Sequence, residues 1–486
     1  MGRHTTVFLL WIALLVGGLE ARVGEAAESF TLRVAVQDAS AIGRPAEVHG
    51  ATWAAKRQAG VDVKRIPFGA LYESVLASLK GEAPPFDVIF YAPAWAGDFA
   101  PYLRELPPWV AEDESFDDIH PIFRDRLMKW NDHWVSITVD GDLFSGYYRR
   151  DLFEDPVSRA GFLARYGYDL LPPATWDQYR DIAEFFTGRP GPDGRPLFGA
   201  AEAFARGKQQ FWTAFARAAA YTNAPGVSGA QFFDPDTMVP QVNNPGWVRA
   251  IEDYVAVLAF CPPEARSFGI VESRQAFIDG QAALTLDWGD TGPAAEDPAR
   301  SKVADKVGYF VLPGAAQVWN PRLSQWIDVP RGRRVPYLAF GGWVAAVPRN
   351  APHPEAAWDF ILWFSSVANS LEDVLDGGTG INPYRYSHFA EIDAWTRVFS
   401  RRAAAEYLGV IKTSLDSPNA ALDLRLPGFK EYTDAFEAQM VRVLAGEIAV
   451  KPALDAVALA WEGITERYGR ASQKALYRAS MGLAPE

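Results

Sequence analysis

Two short stretches concentrate groups able to hold a polar molecule: Asp140-Gly141-Asp142 and Asp287-Trp288-Gly289-Asp290. Paired carboxylates accept hydrogen bonds from hydroxyl groups, neutralise a cation or, at separations of ~5 to 9.5 Å, act as acid and base on a glycosidic bond. Tryptophan beside them adds a flat apolar face with one N–H donor. Trp288 has this setting, and so does Trp343, where Gly341 and Gly342 let the backbone approach closely. A sugar offers apolar C–H faces and a rim of hydroxyls, so aromatic planes match the faces while carboxylates, amides and Arg match the rim. On this chemistry the candidate binding residues are Asp38, Tyr91, Trp95, Asp140, Asp142, Trp212, Trp288, Asp290, Trp343, Tyr384 and Arg385. Each has a plainer role open to it. The tryptophans can be core, Trp212 above all within Phe211-Trp212-Thr213-Ala214-Phe215; the aspartates can cap turns; Arg385 can pair with a surplus carboxylate.

Other chemistries find little support. The six His stand apart at 4, 49, 120, 133, 353 and 388, and Cys261 is the sole cysteine, which argues against a dedicated zinc site and rules out an internal disulfide. No glycine-bracketed serine elbow and no Gly-Lys-Ser or Gly-Lys-Thr phosphate loop occurs, and no cofactor is implied. A net charge of -13 argues against nucleic acid or an anionic membrane surface as partner, because both demand concentrated Lys and Arg.

The elements that must position the candidates follow from periodicity. Arg3, an apolar run from Val7 to Leu19 and the small-residue exit Gly24-Glu25-Ala26-Ala27 have the layout of a secretory signal, predicted over residues 1–26, which places the mature chain in the periplasm. Thr31 to Val36, Val61 to Ile66 and Phe86 to Tyr91 read as strands with helical patterns between them, a doubly wound α/β arrangement whose ligands sit beyond the strand ends. That puts Asp38 and Trp95 near a mouth. Further strands are expected at Trp134 to Val139, Phe144 to Tyr148, Ala282 to Leu286, Val303 to Leu312 and Gly341 to Val347. Thr175-Trp176-Asp177-Gln178 is a capping box that opens a helix, and Pro354 is a first-turn proline. At 486 residues, two lobes are the prior.

Several phrases line up, in order, with a known family. Gly146-Tyr147-Tyr148-Arg149-Arg150-Asp151-Leu152-Phe153, then Pro173-Ala174-Thr175-Trp176, Gly280-Gln281-Ala282-Ala283-Leu284, Gly342 to Pro348 with Pro354 to Phe360, and Gly380-Ile381-Asn382-Pro383-Tyr384-Arg385 resemble extracellular solute-binding proteins of ABC importers. The similar branch is that of maltose, trehalose and glycerol-phosphate binders. The chain departs from the family pattern at Arg149, Leu284 and the aspartate-rich 287–290 stretch. The resemblance implies a periplasmic-binding-protein-like α/β fold with two discontinuous doubly wound lobes, about 28–140 plus 284–341 and about 145–280 plus 344–486, joined by three crossings. It implies a monomer that captures a sugar or polyol and delivers it to membrane permease subunits, without catalysis. A cationic ligand such as a betaine or polyamine, held by Trp faces and carboxylates, is the alternative within the same fold. A secreted glycosidase is the alternative from another class.

Overall fold

The chain is described by a computed structural model over residues 30–484, apart from 39, 40 and 331. The predicted export signal, 1–26, lies outside the described residues. Thr31–Gln37 (β1) is apolar on both sides toward its carboxyl end, with Val34, Ala35 and Val36 all buried, as a strand flanked by strands and covered by helices must be. It pairs in parallel with Gly60–Ile66 (β2) and with Val88–Tyr91 (β3). The short Ile137–Thr138 (β4) closes this sheet.

A second sheet is built around Phe144–Arg149 (β5). Phe198–Ala201 (β6), Ala282–Trp288 (β7) and Val307–Phe310 (β8) complete it in the order β8-β5-β7-β6. β5 is antiparallel to both neighbours, and β6 runs parallel to β7. The helices Gln210–Thr222 and Pro245–Val257 pack together, as do Phe429–Leu444 and Val450–Tyr468, while Arg401–Leu415 packs on β8. Val344–Ala346 (β9) returns to the first sheet between β3 and β4, antiparallel to both.

These pairings divide the chain differently from the boundaries expected from sequence. Residues 284–341 were assigned to the first lobe, yet β7 and β8 belong to the second sheet; 344 onward was assigned to the second lobe, yet β9 belongs to the first. The helix Pro354–Phe364 also packs on Gly43–Arg57 of lobe one, where Trp53 Nε1 donates to Asp359 at 2.8 Å. Buried strands such as β3 and β9 are short apolar runs, and such a run carries no mark of which sheet it will join. The chain therefore passes to lobe two after β4, back to lobe one between β8 and β9, and to lobe two again before Arg401. Among the described residues no helix is long and apolar enough to cross a membrane.

The three crossings meet at one place. Val139 N–H donates to the Trp343 carbonyl at 2.9 Å, and Gly141 N–H to the Asn382 carbonyl at 3.2 Å. Gly342 explains why the approach is possible: a Cβ there would lie 1.9 Å from the Asp140 carbonyl oxygen, at a backbone φ of +80°.

Candidate functional site

A cavity of about 520 Å³ opens between the lobes beside this junction, a volume within the range of small-molecule sites. Lobe one contributes Gln37, Phe68, Trp343 and the loop Gly377–Gly378, which brings backbone and no side-chain bulk. Lobe two contributes Trp212, Arg274, Trp288 and Asp290, while Asp142 and Phe340 come from the crossings. Both lobes and the crossings between them therefore face one volume.

Phe340 is the centre of its aromatic wall. Its ring lies 5.0 Å from Trp343, 5.5 Å from Trp212 and 6.2 Å from Trp288. Trp288 is stacked on Phe144 at 4.3 Å and 8°, so one of its faces is already covered and the other remains for a ligand. The backbone that places Phe340 is strained: its φ of 62° is in the left-handed region, followed by Gly341 at 74° and Gly342 at 80°. A bulky residue held there costs about 1–3 kcal/mol, and the glycines carry the rest of the turn without that cost.

The polar wall holds the two aspartate pairs. Arg274, on the helix Ile270–Ile278, reaches Asp287 through Nε and Nη2 at 3.0 Å each and Asp290 through Nη1 and Nη2 at 2.7 and 2.8 Å. Burial opposes the charge on Arg274, but the two carboxylates outweigh it and hold the guanidinium well above its ordinary range. Asp287 also accepts the Trp288 N–H at 2.6 Å, so the same carboxylate locks the start of the 288–290 turn. Gly289 is needed beneath it, since a Cβ would lie 2.4 Å from Asn382 Oδ1.

Among the described residues Asp140 and Asp142 have no ion-pair partner. Asn382 spans them, its backbone N–H donating to Asp140 at 2.7 Å and its amide to Asp140 at 3.1 Å and to Asp142. Burial pushes Asp140 up to about 7, and burial together with the neighbouring Asp140 pushes Asp142 well above the usual carboxylate range. Burial and mutual repulsion oppose ionisation of both adjacent carboxyls, which favours a form of the pair that keeps a proton. Asp142, pushed toward its protonated form, faces the cavity.

Of the residues singled out from sequence, Trp288, Asp290, Trp343, Asp142 and Trp212 line this cavity. Asp140 stands behind Asp142, and Trp95 stands behind Trp343 with ring centres 6.4 Å apart. The remaining four are elsewhere. Asp38 is exposed, its N–H given to the Ile66 carbonyl at 2.7 Å. Tyr91 lies in the core of lobe one against Phe99, and Tyr384 packs on His388. Arg385 is fully buried, donating to the carbonyls of Ser115 and Ser365. The crossing at 382–385 turns Asn382 toward the aspartates and its next polar side chains into lobe one, a choice of face that residue type does not announce.

Phe340, Phe68, Arg274 and Asn382 were missed. Phe340 had a signal in the two glycines that follow it, and Asn382 lay inside a quoted phrase. Arg274 had none, being one charged residue on a short helix. Both aspartate pairs are engaged by a third residue, one by Arg274 and the other by Asn382. Among the described residues no group of three or more His, Cys, Asp or Glu is placed to hold a metal ion.

Two discontinuous α/β lobes facing one cleft define the class of binding proteins with a closable interlobe site. The chain belongs to the bacterial extracellular solute-binding protein family, whose model matches residues 51–370. Solved structures with the same fold include an ABC transporter solute-binding protein from Agrobacterium radiobacter in complex with ribitol, 22% identical with a TM-score of 0.69 over 90% of this chain and 98% of that one. A solute-binding protein from Agrobacterium vitis with bound D-mannitol is 21% identical, TM-score 0.69, covering 91% and 99%. Maltose-bound MalE3 of T. maritima is 19% identical, TM-score 0.69, covering 90% and 100%. No curated protein sequence matches the chain.

Proposed function

We propose that the chain captures a neutral sugar or polyol in the interlobe cleft and delivers it unaltered, as a periplasmic monomer, to the membrane permease of an ABC importer. The observation that carries this reading is the pairing, within one cavity, of an aromatic wall around Phe340 with a hydrogen-bonding wall of Asp142, Asp290 and Arg274. The first matches the C–H face of a carbohydrate and the second its hydroxyl rim. A ligand touching both lobes favours the closed arrangement by the contacts it makes only there, which is how capture becomes a shape the permease can read. The sugar and polyol ligands of the structurally similar proteins agree with this class.

Thermal shift and tryptophan emission across ribitol, D-mannitol, maltose and tagatose test it. A ligand at a hundredfold excess over its Kd adds ~2.7 kcal/mol of apparent stability, and its affinity should be nearly indifferent to salt. A response to glycine betaine or putrescine alone, weakening as ionic strength rises, overturns the neutral-ligand reading in favour of a cation.

A further inference from the structure

Asp423 lies outside the cavity wall, just beyond the short strand Ala421–Leu422 that pairs in parallel with Tyr337–Leu338. Its carboxylate is 5% exposed and accepts from three donors on two separate segments. Trp212 Nε1–H donates at 2.9 Å, the Phe340 N–H at 2.8 Å, and the Tyr337 hydroxyl completes the set. Trp212 and Phe340 are two panels of the aromatic wall. Tyr337 packs 6.3 Å from Phe144, the ring on which Trp288 stacks, so the third donor ties in the third panel.

The post itself is held from the other lobe. Two residues on, Arg425 donates to the carbonyls of Pro93, Arg126, Leu127 and Lys129 at 2.7 to 3.3 Å. Gly428 N–H then donates to Asp98 at 2.9 Å. Asp423 and Arg425 thus emerge two residues apart from one segment that is tied to both lobes. The left-handed backbone of Phe340 also gains here the acceptor its N–H needs, since the turn 340–342 supplies none.

We propose that Asp423 is a positioning residue of the binding site: it fixes the Trp212 indole and the Phe340 ring against which a ligand packs, without touching the ligand itself. This rests on the reading of the cleft as a sugar or polyol site. Asp423→Asn keeps the volume but replaces one acceptor oxygen with an N–H₂ group facing three donors, and Tyr337→Phe removes one donor while leaving the carboxylate intact.

The test combines an unliganded signature with binding of ribitol, D-mannitol and maltose by calorimetry. In ¹⁵N-tryptophan-labelled protein the indole resonance assigned to residue 212 by its loss in Trp212→Phe should move in Asp423→Asn. Affinity for the probe that binds wild type should fall about tenfold or more, the scale of one buried hydrogen bond lost. Tyr337→Phe, which leaves the Asp423 carboxyl in place, should shift the same resonance and weaken binding about two- to fivefold; it decides the matter if Asp423→Asn does not fold. Unmoved resonance in a folded variant, or a moved resonance with affinity within twofold of wild type, overturns the proposal while the sugar reading stands. Failure of wild type to bind any of the three probes removes that reading, and the proposal falls with it.

Discussion

Asp140 with Asp142 and Asp287 with Asp290 sit in one cleft, yet their charges are settled by different means. The second pair shares a guanidinium that touches all four of its oxygens. The first pair shares an amide, has no ion-pair partner among the described residues, and is kept from full ionisation by burial. One is therefore a fixed ionic brace beneath Trp288, and the other an incompletely ionised hydrogen-bonding surface at the junction of the crossings. The difference teaches that a carboxylate pair has no chemistry of its own until a third group, from elsewhere in the chain, is assigned to it.

The contrast is broken most severely by removing the shared cation. Arg274→Met leaves Asp287, fully buried, and Asp290 unpaired, and should destabilise the protein by about 3–5 kcal/mol, the usual result of stripping one partner from a buried ion pair. Urea unfolding at pH 7 measures this, and an unchanged midpoint would show that the brace carries no stability.

A matched pair of amide substitutions sharpens the contrast. Asp287→Asn breaks a two-pronged bond to Arg274 and should cost about 2–3 kcal/mol, whereas Asp142→Asn, whose new amide stands in for a protonated acid, should stay within about 1 kcal/mol of wild type. Equal losses for the two variants in the same urea series would mean that Asp142 is ionised after all.

The smallest effect is in the pH profile. Unfolded, Asp140 and Asp142 release their protons near 3.9; folded, Asp140 holds its proton up to about 7 and Asp142 is held well above the usual carboxylate range. Between these values the folded state binds more protons than the unfolded one, so this contribution to stability is greatest at low pH and declines as pH rises through the window. Asp423, which burial pushes up to about 7, adds a slope of the same sign. The expected result is thus a difference: melting temperatures of wild type should lose more between pH 5 and 8 than those of Asp142→Asn, and parallel profiles would refute the shared proton.

Much of the framework was legible in the residues. Thr175 and Gln178 satisfy each other's backbone donors as the capping box requires, and Pro354 opens its helix, because both features are settled within a few residues. Trp288, Trp343, Asp142 and Asp290 were legible because they follow strands or flank glycines at chain crossings. Tyr384 and Arg385 shared that address and still turned into lobe one's core. Arg274 and Asp423 were invisible, for each acts on residues that are neighbours only after folding: Arg274 on the turn after β7, Asp423 on Trp212, 211 positions away.

The order of strands and helices, their caps and the concentration of aromatic and acidic groups at the crossings were set by the sequence alone, since periodicity and capping are satisfied by near neighbours along the chain. Which strand joined which sheet, which aspartates kept a proton and which received a cation were decided only in the tertiary structure. Burial and ion pairing are sums over everything that surrounds a group, and for Asp140, Asp142 and Asp423 the deciding surroundings come from segments hundreds of residues apart or from different lobes.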